Sequence, residues 1–240
     1  MQVVRKYGRA MLLVVAAGLI AQQAAAAGEP AGSPTAHHAT ARLSLERENP
    51  SENTRLMAQW IVESGDSKGM PFVIVDKVDA RVFVFQPDGS LSGATPALLG
   101  LAKGDDSIPG IGTRKMSSIL PEERTTPAGR YVASLGRNLQ GKGILWVDYE
   151  AAFSLHPVVT SNAKESRAQR LATPTVLDNR ISYGCINVPA KFYSGVVNPA
   201  FMQSSGVVYV LPETRPLQAV FAGFGVTPRA HPKAASTGLN

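Results

Sequence analysis

From Phe72 onward the chain is built of short β-branched and aromatic runs punctuated by glycine and proline, and this pattern restricts the folds open to it more than any other feature. Phe72-Val73-Ile74-Val75 and Arg81-Val82-Phe83-Val84-Phe85 are two such runs, and Gln86-Pro87-Asp88-Gly89 closes the second with a turn sequence. The two predict a hairpin. Further strands are expected over Arg130 to Leu135, Ile144 to Val147, Phe153 to Val159 and Val207 to Leu211. Repeated strands with Gly- and Pro-containing connections predict a mainly β fold, largely antiparallel, of sandwich form with few short helices. No internal repeat is visible.

The flanking segments differ in character. Arg5, Lys6 and Arg9 precede an apolar run from Ala10 to Ile20, followed by Ala24 to Ala27, so residues 1–27 have the charged, apolar and small-residue regions of a secretory signal. Residues 28–48 are expected to be a flexible linker. Residues 49–70 should hold an N-terminal helix and its connection, with Asn49 as cap, Pro50 in the first turn, Glu52 three residues after the cap, and Leu56, Met57, Trp60 and Ile61 on its packed face. Residues 71–213 form the expected catalytic domain and 214–240 a C-terminal tail. Removal of residues 1–27 leaves 21 basic against 18 acidic residues, a net charge of +3. That balance, without a Lys/Arg run, argues against nucleic acid as a partner. No transmembrane segment is expected after signal cleavage.

The chemistry centres on the single cysteine. Cys185 lies in Ile181-Ser182-Tyr183-Gly184-Cys185-Ile186-Asn187, and a lone thiol exported to an oxidising compartment has no internal partner for a disulfide. It reads as a nucleophile, which acts as the thiolate and so needs a base or cation beside it. His37, His38 and His231 lie in the ends, leaving His156 as the only histidine of the core. Pro157 has a carbonyl that could accept from His156 Nδ1–H, leaving Nε2 for the thiol. Asp148, Glu150 and Asp178 are alternative partners for the ring. Gly184 permits close approach of substrate to the main chain, and the N–H groups of Gly184 and Cys185 are candidate oxyanion donors. The adjacent His37-His38 pair has no further ligands at metal-binding spacing, Asp105-Asp106 lacks the alternation of a calcium loop, and Gly110-Ile111-Gly112 is not a phosphate or dinucleotide loop. No metal site and no cofactor are expected.

Ser182-Tyr183-Gly184-Cys185-Ile186-Asn187 resembles the active-site signature of the L,D-transpeptidases, the YkuD-type catalytic domain: Ser/Thr-His-Gly-Cys, an apolar residue, then Asn or Arg. His156 matches the upstream catalytic histidine by position, and Thr126-Pro127-Ala128-Gly129-Arg130-Tyr131 resembles the Thr-Pro-x-Gly-x-aromatic segment of the same domain. The resemblance covers about residues 71–213. The chain departs from it in two places: Tyr183 replaces a histidine, and the longer interval before Cys185 holds residues 162–180 as an insertion or lid.

The resemblance implies an L,D-transpeptidase-like β-sandwich and an exported, periplasmic or cell-envelope enzyme. Cys185, deprotonated by His156, would attack a peptidoglycan stem tetrapeptide, release D-alanine, form a thioester and transfer the acyl group to an amine. The acceptor would be a second stem or an envelope protein. Arg180, Tyr183 and Ser182 are the expected substrate-binding residues, Arg180 for a stem carboxylate by its adjacency to the cysteine motif, with Arg130, Arg167 and Arg170 as the other available cations. Asn187 is expected to hold the loop through its backbone, and residues 100–127 to be either a flap or a surface connection. An L,D-carboxypeptidase or related hydrolase, and a non-catalytic wall-binding module, are the alternative readings.

Overall fold

The computed structural model of the chain describes residues 44–225, which fall in one compact unit. The first helix, α1 (Glu52–Ser64), is capped by Ser51, whose Oγ accepts from Thr54 N–H at 3.1 Å. The expected cap was Asn49. That residue instead takes φ +48° two positions earlier, and Ser51 is also held in place by donating to Asp76 of the first strand. Gly65 ends the helix at φ +67°. Met57, Ala58 and Ile61 form the buried stripe, whereas Leu56 faces solvent.

The strands are β1 (Phe72–Asp76), β2 (Arg81–Phe85), β3 (Leu91–Pro96), β4 (Leu99–Gly100), β5 (Gly129–Arg137), β6 (Gly143–Asp148), β7 (Phe153–Pro157), β8 (Arg180–Ser182), β9 (Ile186–Val188) and β10 (Gly206–Val210). Eight of them form one sheet in the order β3-β2-β1-β10-β5-β6-β7-β9, and β4 pairs with β8. Five of the neighbouring pairs in the large sheet are antiparallel, while β1/β10 and β7/β9 are parallel, so the sheet is mixed. The fold is mainly β, with few short helices.

β5 joins the two halves of the sheet. Its first residues, Gly129–Ala133, pair with β10, and its last, Ser134–Arg137, pair with β6. On one side, β1, β2 and β10 are buried on both faces, which is why they read as unbroken apolar runs. Their alternate residues serve different layers. Val73, Val75, Val82, Val84, Val208 and Val210 meet Leu145, Leu155, Ile186 and Val188 from the other half of the sheet. Phe72, Ile74, Phe83, Phe85, Val207 and Tyr209 instead pack with Met57 and Ile61 of α1 and with Leu217 and Phe221.

Two expected boundaries shift. Residues 214–225 are part of the folded body, since Leu217 and Phe221 are buried and the Phe224 ring lies 5.8 Å from Trp60. Leu45, within the expected linker, is buried as well. The expected signal segment, residues 28–43 of the linker, and the tail beyond Gly225 lie outside the described residues. Among the described residues, no helix is long and apolar enough to cross a membrane.

Candidate active site

The parallel pairing of β7 with β9 assembles the site. Leu155 lies opposite Ile186 and His156 opposite Asn187, so side chains alternate in step on the two strands. Phe153, Leu155, Ile186 and Val188 point into the core. Ser154 and His156 therefore share the other face with Asn187 and with Cys185, which immediately precedes β9. The segments that carry His156 and Cys185, 29 residues apart in sequence, become neighbours through this register alone.

Cys185 Sγ lies 3.5 Å from Ser154 Oγ and 3.6 Å from the Ala152 carbonyl. His156 Nδ1–H donates to the Pro157 carbonyl at 2.8 Å, as the sequence predicted, which leaves Nε2 as the nitrogen available to the thiol. Burial works against charge on both groups. It is outweighed at the thiol by hydrogen bonding to and attraction by His156 and by Ser154, which hold Cys185 below the usual thiol range. At the ring, burial is outweighed by Cys185 and by the Pro157 carbonyl, so His156 stands above the usual imidazole range, while the Arg167 guanidinium opposes the rise. Each of the two groups thus favours the charged form of the other, against the burial that opposes charge on both.

The turn before the cysteine is fixed by its own polar groups. Ser182 Oγ donates to the Cys185 carbonyl at 2.6 Å and accepts from Gly184 N–H at 3.1 Å. Gly184 N–H is thus already engaged, and of the two expected oxyanion donors only the Cys185 N–H is left for that role. Gly184 takes φ +125°, and a Cβ there would lie 2.7 Å from the Thr125 carbonyl oxygen. Thr126 Oγ1 donates to the Gly184 carbonyl and accepts from Gly100 N–H, each at 2.8 Å, so the Thr-Pro-Ala-Gly motif pins the turn before Cys185 to β4.

Behind Thr126 lies a buried ionic network. Lys77 Nζ donates to the Thr126 carbonyl at 2.9 Å, to the Gly104 carbonyl at 2.6 Å and to Asp105 at 2.7 Å. Asp105 also accepts from Glu213 N–H, Thr214 N–H and Thr214 Oγ1–H. Arg180 belongs to this network. Its guanidinium grips Glu213 through both nitrogens and donates to the Lys77 carbonyl at 2.9 Å.

A cleft of about 360 Å³ opens over the thiol, lined among others by His156, Cys185, Ser182, Tyr183, Asn187 and Arg167. Tyr183 forms part of its wall, with the Arg124 guanidinium stacked 3.9 Å from its ring centre. Met116 lines the cleft too, so residues 100–127 contribute to its wall as well as crossing the surface. Among the described residues, no group of three or more His, Cys, Asp and Glu side chains could hold a metal ion.

No protein-family model matches the chain, and no curated protein matches it in sequence. Among solved structures it aligns with the LD transpeptidase LdtMt1 in complex with imipenem at 14% identity and a TM-score of 0.34, over 59% of this chain and 58% of that one. It also aligns with the catalytic domain of the E. faecium L,D-transpeptidase at 20% identity and a TM-score of 0.31, over 58% of this chain and 95% of that one. The chain thus spans a little over half the length of the first.

The structure therefore gathers Cys185, His156, Pro157, Gly184, Ser182 and Tyr183 at one place. Arg180 is the exception, because its fork is filled by Glu213 and it is not among the residues lining the cleft. Asp148, Glu150 and Asp178, the alternative ring partners, do not hold Nδ1, which goes to the Pro157 carbonyl, and the Asp178 carboxylate accepts from Thr173 Oγ1–H. The Asp148 carboxylate instead accepts from Ala151 N–H. Asn187 does hold the turn, pairing its backbone with Leu98 and donating from Nδ2 to the Cys185 carbonyl at 3.4 Å. Arg167, one of the further cations the sequence offered, lines the cleft, whereas Ser154 was missed, although the period-two rule applied to Phe153–Pro157 places it on the face of His156.

Proposed function

We propose that the protein is an exported cysteine acyltransferase of the L,D-transpeptidase type, acting in the cell envelope on peptidoglycan stem peptides. The observation that carries the reading is the shared sheet face. A lone thiol, a histidine tied by Nδ1 to a carbonyl, and a serine hydroxyl at 3.5 Å from the sulfur converge beneath one cleft. The motif around Cys185 adds the substrate class.

In the first half-reaction Sγ attacks the carbonyl joining the third residue of a tetrapeptide stem to its terminal D-alanine. The S–C bond forms, the C–N bond breaks, and His156 delivers its Nε2 proton to the departing amine. The Cys185 N–H faces the developing oxyanion, while Ser182 holds Gly184 and the Cys185 carbonyl in place for it. In the second half an acceptor amine attacks the thioester. Its proton passes to His156, and sulfur leaves as the thiolate. The acceptor is an amine of a neighbouring stem or of an envelope protein. Arg167, rather than Arg180, lies on the cleft wall.

The test is incubation of the purified protein with tetrapeptide stems, with products followed by mass spectrometry beside Cys185→Ala and His156→Ala. Stem-to-stem dimers that vanish in both variants are the expected result. Tripeptide alone would identify a hydrolase. Equal products from wild type and Cys185→Ala would overturn the proposal.

A further inference from the structure

The segment ahead of the cysteine touches the ring of the proposed dyad through a single intermediary, Asn187. Residues 162–180 form a small folded unit containing a second helix, α2 (Arg167–Ala172). The unit is tied internally: Arg170 donates to the carbonyls of Glu165 and Asp178 at 2.8 and 2.7 Å, and Thr173 Oγ1–H bonds the Asp178 carboxylate. Arg167 leaves this unit and reaches the site. Its Nη1 donates to Asn187 Oδ1 at 2.7 Å, and its Nε is held by Glu165.

A guanidinium has donors and no acceptor, so it can meet the Asn187 amide only at Oδ1. That choice turns Nδ2 of Asn187, a side chain almost fully buried, toward the ring. Nδ2 lies 3.2 Å from His156 Nε2. An amide NH₂ can only donate, and it can donate only to a ring nitrogen without a proton. Since Nδ1–H is committed to the Pro157 carbonyl, the contact selects the neutral ring with its lone pair at Nε2. The opposite amide orientation would present Oδ1 to Nε2 and favour the imidazolium instead.

We infer that Arg167 is a positioning residue which, by fixing the orientation of the Asn187 amide, restrains His156 from holding its proton and so keeps it able to act as a base. The inference rests on the dyad reading of the proposed function. The titratable and charged groups sharing the cleft with the ring are Cys185, Arg167, Glu165 and Tyr183, and Lys142 lines the second pocket that His156 borders. Two opposed influences thus act on His156: the sulfur draws a proton onto Nε2, and the Arg167–Asn187 pair discourages it. A base that must both take and return a proton in each half-reaction gains from that balance.

The experiment uses the full chain and its single thiol. The rate of Cys185 alkylation by iodoacetamide is measured across pH for wild type, Arg167→Met and Arg167→Lys, reading the midpoint separately from the high-pH plateau, which reports access. With Arg167→Met, Asn187 is free to turn, the imidazolium is more easily held, and the thiolate it supports persists to lower pH. The midpoint is therefore expected to fall, and lysine, also a donor-only side chain, should restore it. A midpoint unchanged or raised in Arg167→Met overturns the inference. So does a displacement that persists undiminished when Arg167→Met is made in an Asn187→Ala background, because it then passes through space and not through the amide. Failure of the dyad reading looks different: wild type and His156→Ala would both titrate as an ordinary thiol.

Discussion

Replacing Gly184 by alanine tests how tightly the nucleophile turn is built. Two costs add. At φ +125° a side chain is strained wherever it points, which is worth about 1–3 kcal/mol. The new Cβ would also sit 2.7 Å from the Thr125 carbonyl oxygen, and overpacking of this kind costs about 1–3 kcal/mol. Relaxation is hindered because the turn is pinned on both sides, by Ser182 Oγ at the Gly184 N–H and by Thr126 Oγ1 at its carbonyl. The expected loss is thus about 2–6 kcal/mol, a large part of the roughly 5–15 kcal/mol available to a domain. Gly110→Ala is the control, since φ there is +72° with nothing within 4 Å of the added carbon. It should cost only about 1–2 kcal/mol for the left-handed backbone. Urea unfolding of both variants, with midpoints and slopes fitted together, gives the comparison. If Gly184→Ala is no more destabilising than Gly110→Ala, the close approach of Thr125 does not constrain the turn.

Three further outcomes are expected. Alkylation of Cys185 should rise with pH about a midpoint below the roughly 8.5 of a free thiol, and His156→Ala should move that midpoint upward; a midpoint unaffected by His156→Ala would break the pairing. Lys77→Met leaves buried Asp105 with only the more distant Arg215 at 3.7 Å and should destabilise by up to about 3–5 kcal/mol in chemical unfolding. In the wild type, Asp105 is held far below the usual carboxylate range: burial opposes this, but Lys77, Thr214 and the backbone N–H groups outweigh it, so the stability it confers is present above about pH 4 and is lost as pH falls through its folded value. Tyr193, whose buried hydroxyl has no hydrogen-bond partner among the described residues and whose pKa burial pushes up to about 12, should tolerate Tyr193→Phe with no loss, or a gain of up to about 1 kcal/mol; a clear loss in thermal unfolding would mean the hydroxyl is satisfied.

The strands of the central layers were legible because burial on both faces leaves an unbroken β-branched signature, as in Phe72–Val75 and Val207–Val210. β3 was not, since Leu91-Ser92-Gly93-Ala94-Thr95-Pro96 is a partly exposed edge with little apolar content. Neither was β9, three residues long and hidden in the motif that follows Cys185. The helical stretch from Ala190 to Phe201, with a π-helical middle at Tyr193–Val197, was masked by Pro189 and Pro199. At the site, His156 and the Pro157 carbonyl followed from counting and from the chemistry of proline. Arg180 misled because adjacency to a motif says nothing of what a side chain meets across the fold, here Glu213 from the far end of the chain. Arg167 gave no periodic signal at all, because its importance lies in one hydrogen bond to Asn187 made by a segment with its own local fold.

The place of β10 has a consequence for the order of folding. Residues 206–210 lie between β1 and β5, so within the large sheet the last of the described strands joins the half begun at Phe72 to the half that carries His156 and leads to Cys185. Until those residues leave the ribosome, β1 and β5 are open edges and the sheet cannot close, however much of the sequence is already made. A chain stopped before Gly206 should remain sensitive to protease and prone to associate through those edges. The chain therefore commits to its structure late, once β10 has been made and can enter the sheet.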